Sequence, residues 1–410
     1  MNFSGSTPWV TLSSMNSLIS PDDHWVIWTF LVGMAALSLF LEQRYRIVRK
    51  FTGAATALCA GMLVSNIGLM PFESESYDVV WKYIVPLVIP LLLIKTDLRV
   101  IFRETGRFAG AFHISALGTV FGSVLAVALL HTLIDHLELI GPAMTASYIG
   151  GSVNFVSVVS MFNPPKDLMN ATLVADSGVM IIYFLFLITM PGMYLVRRLF
   201  PITGKSMETA GTGSSVPGGD YWKPRAIGLV DIGKSLAIAF AIAMLSVKTS
   251  RYFDDPGMPL IIRMVFGQQY LLLTTFSVLF PLIFPRISRN LAGNEELGTF
   301  LIFIFFVMIG LPASFRMVIL EAPVMILFCA IILFINFLFT FGLGKLFRYE
   351  LEELVLAAIV TSGGPMNGVA AAISKQWHNL IFPSLMLGIW GYVIGNYIGY
   401  VVGIFLQAIY

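Results

Sequence analysis

The sequence predicts an all-α polytopic membrane protein, and its composition and hydropathy are the observations that predict it. Of 410 residues, 57% are hydrophobic and only 12% are charged, with a mean hydropathy of +0.84. Soluble domains carry about 25% charged residues. Apolar runs of about 20 residues, long enough to cross a bilayer, recur from end to end. The net charge is only +2, and the basic residues are spread over short loops, so nothing indicates a nucleic-acid partner.

About twelve apolar segments are predicted to span the bilayer, six on each side of one long polar stretch. Residues 1–24 form an exposed tail, 25–197 a first unit, 198–227 a Gly/Ser/Pro-rich linker and 228–410 a second unit. The segments are 25–41, 51–70, 77–94, 107–134, 142–161, 168–197, 228–248, 264–285, 296–312, 322–346, 351–374 and 381–408.

Basic residues between the segments predict their orientation in a plasma (inner) membrane. Residues 42–50 and 95–107 each carry four Lys or Arg and are expected in the cytoplasm. Residues 73–78 and 135–138 carry none and are expected outside, which places the N-terminus outside. The basic linker also indicates the cytoplasm. However, three predicted crossings separate the linker from residues 95–107, which would place the linker outside the cell. The charge of the linker and the number of predicted crossings therefore disagree by one crossing.

A five-residue motif occurs twice. "GGSVN" at 150–154 and "GGPMN" at 363–367 are separated by 213 positions, and the same offset superimposes the segments of the two units approximately. Self-similarity over such a length predicts duplication of a multi-helix unit.

The duplicated motif predicts a discontinuous helix in each unit. Glycine permits unwinding, and the freed backbone groups, together with Asn and Ser oxygens, can hold an ion or a solute. Close packing of two helices is the alternative interpretation. The candidate substrate or ion-binding residues are Gly150, Gly151, Ser152, Asn154, Thr361, Ser362, Gly363, Gly364 and Asn367.

Asp176 is the candidate for proton or cation coupling, because it lies about 12 Å of helix rise inside its apolar segment. A carboxylate at a cavity mouth or at a helix kink is the alternative. Secondary candidates are Ser123 and Asn336, which are also 213 positions apart, and Asn396. Ser123 and Asn336 can equally serve as hydrogen-bonding contacts between helices. Asn396 is a candidate substitute, in the second unit, for the function of Asp176.

No catalytic motif is found in the sequence, which contains no HExxH, GxSxG or Walker lysine. We therefore expect no enzyme activity, no ATP-driven pump, no cofactor and no metal beyond a possible coupling Na⁺. The expected partners are a small-molecule substrate and the lipid bilayer.

Length, the duplicated motif and the mid-chain linker resemble the YjcL-type membrane proteins, over nearly the whole chain. That family in turn resembles the bile acid:sodium symporters, the sodium/glutamate symporters and the cation:proton antiporters. The resemblance implies inverted repeats, a scaffold (panel) domain, a core domain with two crossing discontinuous helices, and elevator-type movement. A homodimer through the scaffold domain is a further expectation. Antiporters often carry two adjacent carboxylates where this chain has Asp176 followed by Ser177.

The leading functional hypothesis is a secondary active transporter of a small organic solute, coupled to Na⁺ or H⁺. The alternatives are a monovalent cation:proton antiporter that uses Asp176, and an intramembrane receptor or enzyme without transport. Six crossings in each unit would make the repeats parallel by parity. Inversion requires that one apolar segment does not cross, or that 255–285 hides an extra crossing.

Overall fold

The computed structural model describes residues 17–45, 48, 53–96, 98–200, 227–312 and 315–410. Within these ranges every regular element is helical. Most of the predicted tail and most of the predicted linker lie outside the described residues.

The helices of the first unit follow the apolar segments closely. They are α1 (His24–Arg44), α2 (Gly53–Asn66), α3 (Glu75–Leu93), α4 (Leu98–Thr105), α5 (Phe108–Leu130), α6 (Leu137–Gly150), α7 (Ser152–Phe162), α8 (Lys166–Thr189) and α9 (Tyr194–Leu199). Within α3, one wider π-helical turn covers Val80–Ile84.

The second unit has a similar order of long and short helices. They are α10 (Leu229–Phe253), α11 (Leu260–Phe266), α12 (Gln269–Ile283), α13 (Pro285–Arg289), α14 (Asn294–Gly310), α15 (Phe315–Leu346), α16 (Leu351–Ser374) and α17 (His378–Ile409).

Eight helices in the described part of the chain are long and apolar enough to cross a membrane, and one of them is α16, whose interruption at Gly364 is described below. The chain is therefore a multi-pass integral membrane protein. The sequence predicts about twelve spans, and part of the difference comes from short helices. The predicted segments 51–70 and 264–285 correspond to α2 and α12, of 14 and 15 residues. The predicted span 142–161 is divided between α6 and α7.

Small residues allow the backbones of neighbouring helices to touch. A Cβ atom on Gly61 of α2 would collide with the Val307 carbonyl of α14, and one on Gly310 would collide with the Leu58 carbonyl. Helices in lipid gain no hydrophobic driving force for association, because lipid tails are themselves apolar. The van der Waals packing that such close approach allows holds the helices together instead.

The helices pack in two groups. We call α5, α6, α7, α8, α15, α16 and α17 the hairpin group, because α6 and α7, and the two arms of α16, form hairpins that are described below. The other group, which we call the outer group, contains α1, α2, α3, α10, α12 and α14. Side-chain hydrogen bonds between the groups include one from Asn396 to Thr274 at 2.8 Å and one between Thr275 and Tyr397 at 2.6 Å.

Candidate functional site

Helices α6 and α7 form a hairpin, which we call the first hairpin, with Gly151 as the single residue between them. Gly151 has φ +100° and ψ −174°. The last helix, α17, shows the reversal, because Gly399 contacts both Pro142 and Val158. One turn earlier, Gly395 contacts both Ala146 and Asn154. Residues before and after Gly151 therefore lie at the same level, and the chain returns toward the end from which it entered.

The second glycine pair reverses the chain in the same way. Gly364 has φ +75° and ψ −175° inside α16. A Cβ atom on Gly368 would collide with the side chain of Val360. Residues eight apart in a straight helix are separated by about 12 Å along the axis, so this contact requires a reversal at Gly364. We call residues 351–374 the second hairpin.

The prediction that these two stretches are discontinuous helices that cross is therefore wrong in one respect. The interruptions lie at the second glycine of each pair, but each chain segment turns back. The two arms of the first hairpin have 14 and 11 residues, which reach about 21 and 16 Å at 1.5 Å per residue.

The hairpins enter from opposite ends of α5 and meet at their tips. Near the C-terminal half of α5, Ser123 donates to the Gly141 carbonyl of the first hairpin at 2.9 Å. Nearer its N-terminus, Ser115 and Thr361 of the second hairpin share a hydrogen bond of 2.8 Å.

At the tips, a Cβ atom on Gly151 would lie 3.9 Å from Gly364 Cα, and one on Gly364 would lie 3.7 Å from the Gly150 carbonyl oxygen. The two turns are thus in van der Waals contact. Their φ and ψ angles lie in a region that is essentially restricted to glycine.

Asn154 lies at the first tip and is buried, with 1% of its surface exposed. Its Nδ2 donates to the Tyr392 carbonyl at 2.9 Å and to Asn396 Oδ1 at 2.8 Å. Asn396 in turn donates to Thr274 Oγ1 at 2.8 Å. Because both acceptors face the Asn154 amino group, its Oδ1 points elsewhere, and this oxygen has no hydrogen-bond partner. An unpaired buried carbonyl oxygen is costly, and an oxygen-seeking cation would satisfy it.

The second tip is arranged differently. Asn367 is half-buried and donates to the Gly363 carbonyl of its own turn at 2.7 Å. Ser362 is buried and donates to Ala358 at 2.6 Å. Ser152, by contrast, is exposed. The duplicated motif therefore places two asparagines at equivalent positions with different partners.

Asp176 is connected to the first hairpin. The Tyr148 hydroxyl donates to Asp176 Oδ1 at 2.6 Å, and the Cys329 thiol lies beside that hydroxyl. Tyr148 precedes Gly151 by only three residues, so the carboxylate of α8 contacts the arm close to the tip.

A buried cluster of polar side chains connects α5, α8, α15 and α16. Asn336 donates to the Ser115 carbonyl at 2.8 Å and to Thr119 Oγ1 at 3.0 Å, and it accepts from Tyr183 at 2.8 Å. Ser123 bonds separately to Gly141. Of the secondary candidates, Asn396 thus reaches the first tip, whereas Ser123 and Asn336 hold helices together in two different places.

Sequence reasoning missed Tyr148, Thr274 and Tyr392, whose neighbours are distant in sequence. It also missed a row of glycines on α17 that contacts both hairpins: Gly388, Gly391, Gly395, Gly399 and Gly403. The signal for this row was present, because the last four of these glycines recur every fourth residue, a spacing typical of closely packed membrane helices.

No group of three or more His, Cys, Asp or Glu side chains that could hold a metal is found among the described residues.

The site belongs to a polytopic helical membrane protein with polar groups in its interior. These groups are two glycine-tipped hairpins, a buried amide with a free oxygen and a nearby carboxylate. Comparison with known proteins agrees that the chain is a membrane protein. Residues 29–409 match a family described as a protein of unknown function, DUF819. The chain belongs to this family.

A curated relative in Bacillus subtilis (strain 168) is named uncharacterized membrane protein YjcL. It is 43% identical over 389 residues, which cover 95% of this chain and 98% of the relative. The resemblance to YjcL-type membrane proteins that the sequence indicates is thereby confirmed.

Proposed function

We propose that this protein is a secondary active transporter of a small organic solute, driven by a cation gradient, and that the solute and the cation bind where the hairpin tips meet. The observation that carries the proposal is the unpaired, buried Oδ1 of Asn154 beside two glycine turns in contact. Irregular backbone within a membrane protein is tolerated where it lines a cavity, and transporters use it to coordinate ions and substrates near the midplane.

Under this proposal the two units are inverted repeats, and the hairpins support this by parity. If each hairpin enters and leaves on one side, each unit crosses the membrane five times: α1, α2, α3, α5 and α8, then α10, α12, α14, α15 and α17. Because an odd number of crossings ends on the opposite side of the membrane, the second unit would begin on that side and be inverted relative to the first. The same path places the linker in the cytoplasm, which removes the discrepancy of one crossing.

The positions of basic residues support this path. It places the ends of α1, α3 and α15 in the cytoplasm, near Arg44, Lys95 and Lys345 respectively. Arg107 donates to the carbonyls of Phe347 and Arg348, so residues from both units share this end of the molecule.

Elevator-type movement would carry the hairpin group past the outer group, which would serve as the scaffold and as the surface of a homodimer. The hydrogen bonds between the groups, such as that between Thr275 and Tyr397, would break during such sliding. Under this proposal the chain has no enzyme activity and needs no cofactor beyond its coupling ion.

Sodium is the proposed coupling ion at the first tip, because the available ligands are neutral oxygens of amide, hydroxyl and backbone groups. Hard cations take such ligands. The contact between Tyr148 and Asp176 favours a second candidate, a monovalent cation:proton antiporter, because a half-buried intramembrane carboxylate with a phenol donor is suited to proton transfer.

Flux through proteoliposomes tests the proposal. Purified protein is reconstituted, and uptake of a panel of small organic solutes is measured with an inward Na⁺ gradient and with a matched K⁺ gradient. A solute that accumulates only with Na⁺, and no longer does so in Asn154→Ala, supports the symporter. Na⁺/H⁺ exchange without solute, abolished by Asp176→Asn, supports the antiporter instead. Absence of both activities in protein that still binds a ligand supports a receptor without transport.

A further inference from the structure

Helix α8 carries three half-buried residues at four-residue spacing, Asp176, Met180 and Phe184, which we call the α8 row. At this spacing they follow one another along the helix over about 12 Å. The two ends of the row touch different hairpins. Asp176 accepts a hydrogen bond from Tyr148 of the first hairpin, and a Cβ atom on Gly363 of the second hairpin would collide with the Phe184 ring. The row therefore runs past the place where the hairpin tips meet.

The part of the row around Asp176 faces the inside of the protein. Tyr183 and Leu187 project from the same side of α8 as Asp176, and both are buried. Ile182 and Leu185 project from the opposite side and are largely exposed, as expected of side chains in contact with lipid. The half-buried surface of Asp176 is thus open to a space between α8 and the hairpin tips.

Asp176 is a carboxylate that no described cationic side chain compensates. It accepts one hydrogen bond, from the neutral Tyr148 hydroxyl, and makes no ion pair with a described residue. Its second oxygen, Oδ2, accepts no hydrogen bond from the described residues and is not covered by protein atoms. In the described helices of the hairpin group, Lys and Arg are found only at the first two or last two positions of a helix. Because intramembrane carboxylates pair with positive charge, the open Oδ2 favours a cationic group of a ligand.

The other end of the row offers a second open acceptor. Asn367 donates its Nδ2 to the Gly363 carbonyl at 2.7 Å, while its Oδ1 accepts no hydrogen bond from the described residues and is not covered by protein atoms. Between the two acceptors, Met180 and Phe184 present apolar side chains. This pattern matches a ligand with a hydrocarbon chain and hydrogen-bond donors at its ends. An ammonium group combines three donors with a positive charge.

We propose that the substrate is a small organic cation with a protonated amino group. The ammonium group binds Asp176 Oδ2, the hydrocarbon chain follows Met180 and Phe184, and a donor at the far end binds Asn367 Oδ1. The inference rests on the proposed function, because it names the substrate class of that same site. Organic anions are rejected, since their carboxylate would face the negative charge of Asp176.

Thermal unfolding of the full chain in detergent tests the proposal with probes that share a four-carbon skeleton. 1,4-Diaminobutane, 4-aminobutan-1-ol and butylamine are compared with butane-1,4-diol and succinate at neutral pH and equal ionic strength. A ligand that binds the folded protein raises the midpoint of unfolding. We expect the amines to raise it, the diamine most strongly, and the diol and succinate to leave it unchanged. If no amine raises the midpoint, or if succinate raises it as much, the proposal is overturned.

Variants of the row locate the binding. Asp176→Asn removes the charge and keeps the size, so the apparent affinity for 1,4-diaminobutane is expected to fall at least tenfold. The matched control is Asp167→Asn, which alters an exposed carboxylate in the first turn of the same helix and keeps the wild-type response.

A second variant keeps the test decisive if Asp176→Asn does not fold. Met180→Lys places an internal ammonium group one turn from Asp176, where the two side chains can pair. This variant is expected to lose the response to added amine. A wild-type response in folded Met180→Lys or folded Asp176→Asn overturns the proposal.

The binding measurement separates this inference from the proposed function. Stabilisation by amines in protein that shows no flux leaves the amine site in place and contradicts transport. Na⁺-driven uptake of a neutral or anionic solute, without any response to amines, leaves the proposed function in place and contradicts the amine site.

Discussion

Gly151 and Gly364 are buried against each other, and a Cβ atom on the first would lie 3.9 Å from the Cα of the second. Each turns a pair of short helices back on itself, and the two hairpins reach this point from opposite ends of α5. The contact explains why helix-breaking glycines lie within apolar segments. It also brings Asn154 and Asp176 into one region of the molecule.

Substitution of a tip glycine is expected to destabilise the protein. Gly364→Ala places a side chain at φ +75°, ψ −175°, which costs about 1–3 kcal/mol. The measurement is thermal unfolding in detergent. Gly178→Ala is the matched control, because no atom lies within 4 Å of the added Cβ, and it is expected to be neutral or slightly stabilising. Equal midpoints for the two variants would contradict the strained turn.

The asparagine at the first tip is expected to hold the coupling ion. Asn154→Ala removes the unpaired oxygen and breaks the bond to Asn396, so we expect Na⁺-dependent thermal stabilisation to weaken at least tenfold. Asn367→Ala, which loses a bond only within its own turn, is expected to retain more than half of the effect. Isothermal titration with NaCl against choline chloride checks both variants. If Asn154→Ala bound Na⁺ as tightly as the wild type, Asn154 Oδ1 would not be a ligand of the ion.

Tyr148 and Asp176 are expected to act as one unit. The hydrogen bond of 2.6 Å between them predicts that Tyr148→Phe and Asp176→Asn each slow cation-coupled flux at least tenfold. The double variant is then expected to be little worse than either single variant, since residues in contact are not additive. Proteoliposome flux measures all three. Multiplicative losses in the double variant would show that the two groups act separately.

The glycine row on α17 is expected to set the distance between this helix and the first hairpin. A Cβ atom on Gly391 would collide with the Ile149 carbonyl, so Gly391→Ala is expected to cost about 1–3 kcal/mol by overpacking. Gly342→Ala on α15 has open space around it and serves as the control. Comparison of their unfolding midpoints tests the packing, and a Gly391→Ala variant as stable as the control would argue against it.

The positions of the two interruptions could be predicted because glycine pairs act locally on the backbone. The reversal of the chain could not be predicted. A helix that is interrupted at Gly151 has the same composition whether the chain continues across the membrane or turns back. The clue was the linker, whose basic composition predicts the cytoplasm, whereas six crossings would place it outside. The contact of Tyr148 with Asp176 also lay beyond sequence reasoning, because an isolated tyrosine in an apolar run indicates no particular partner. Asn396 was found because it is a polar residue within an apolar segment, in the region of the second unit that corresponds to Asp176.

The entry side of each hairpin tests the central claim most directly. Single cysteines are introduced in a Cys59→Ala, Cys329→Ala background at exposed positions near the hairpin ends: Asp135→Cys, Lys166→Cys, Lys345→Cys and Ser374→Cys. A membrane-impermeant maleimide is then applied to intact cells and to inverted vesicles. The account predicts labelling of the first two positions from one side only and of the last two from the other side only. Labelling of Asp135→Cys and Lys166→Cys from opposite sides would show that residues 137–162 cross the membrane, and would contradict the account.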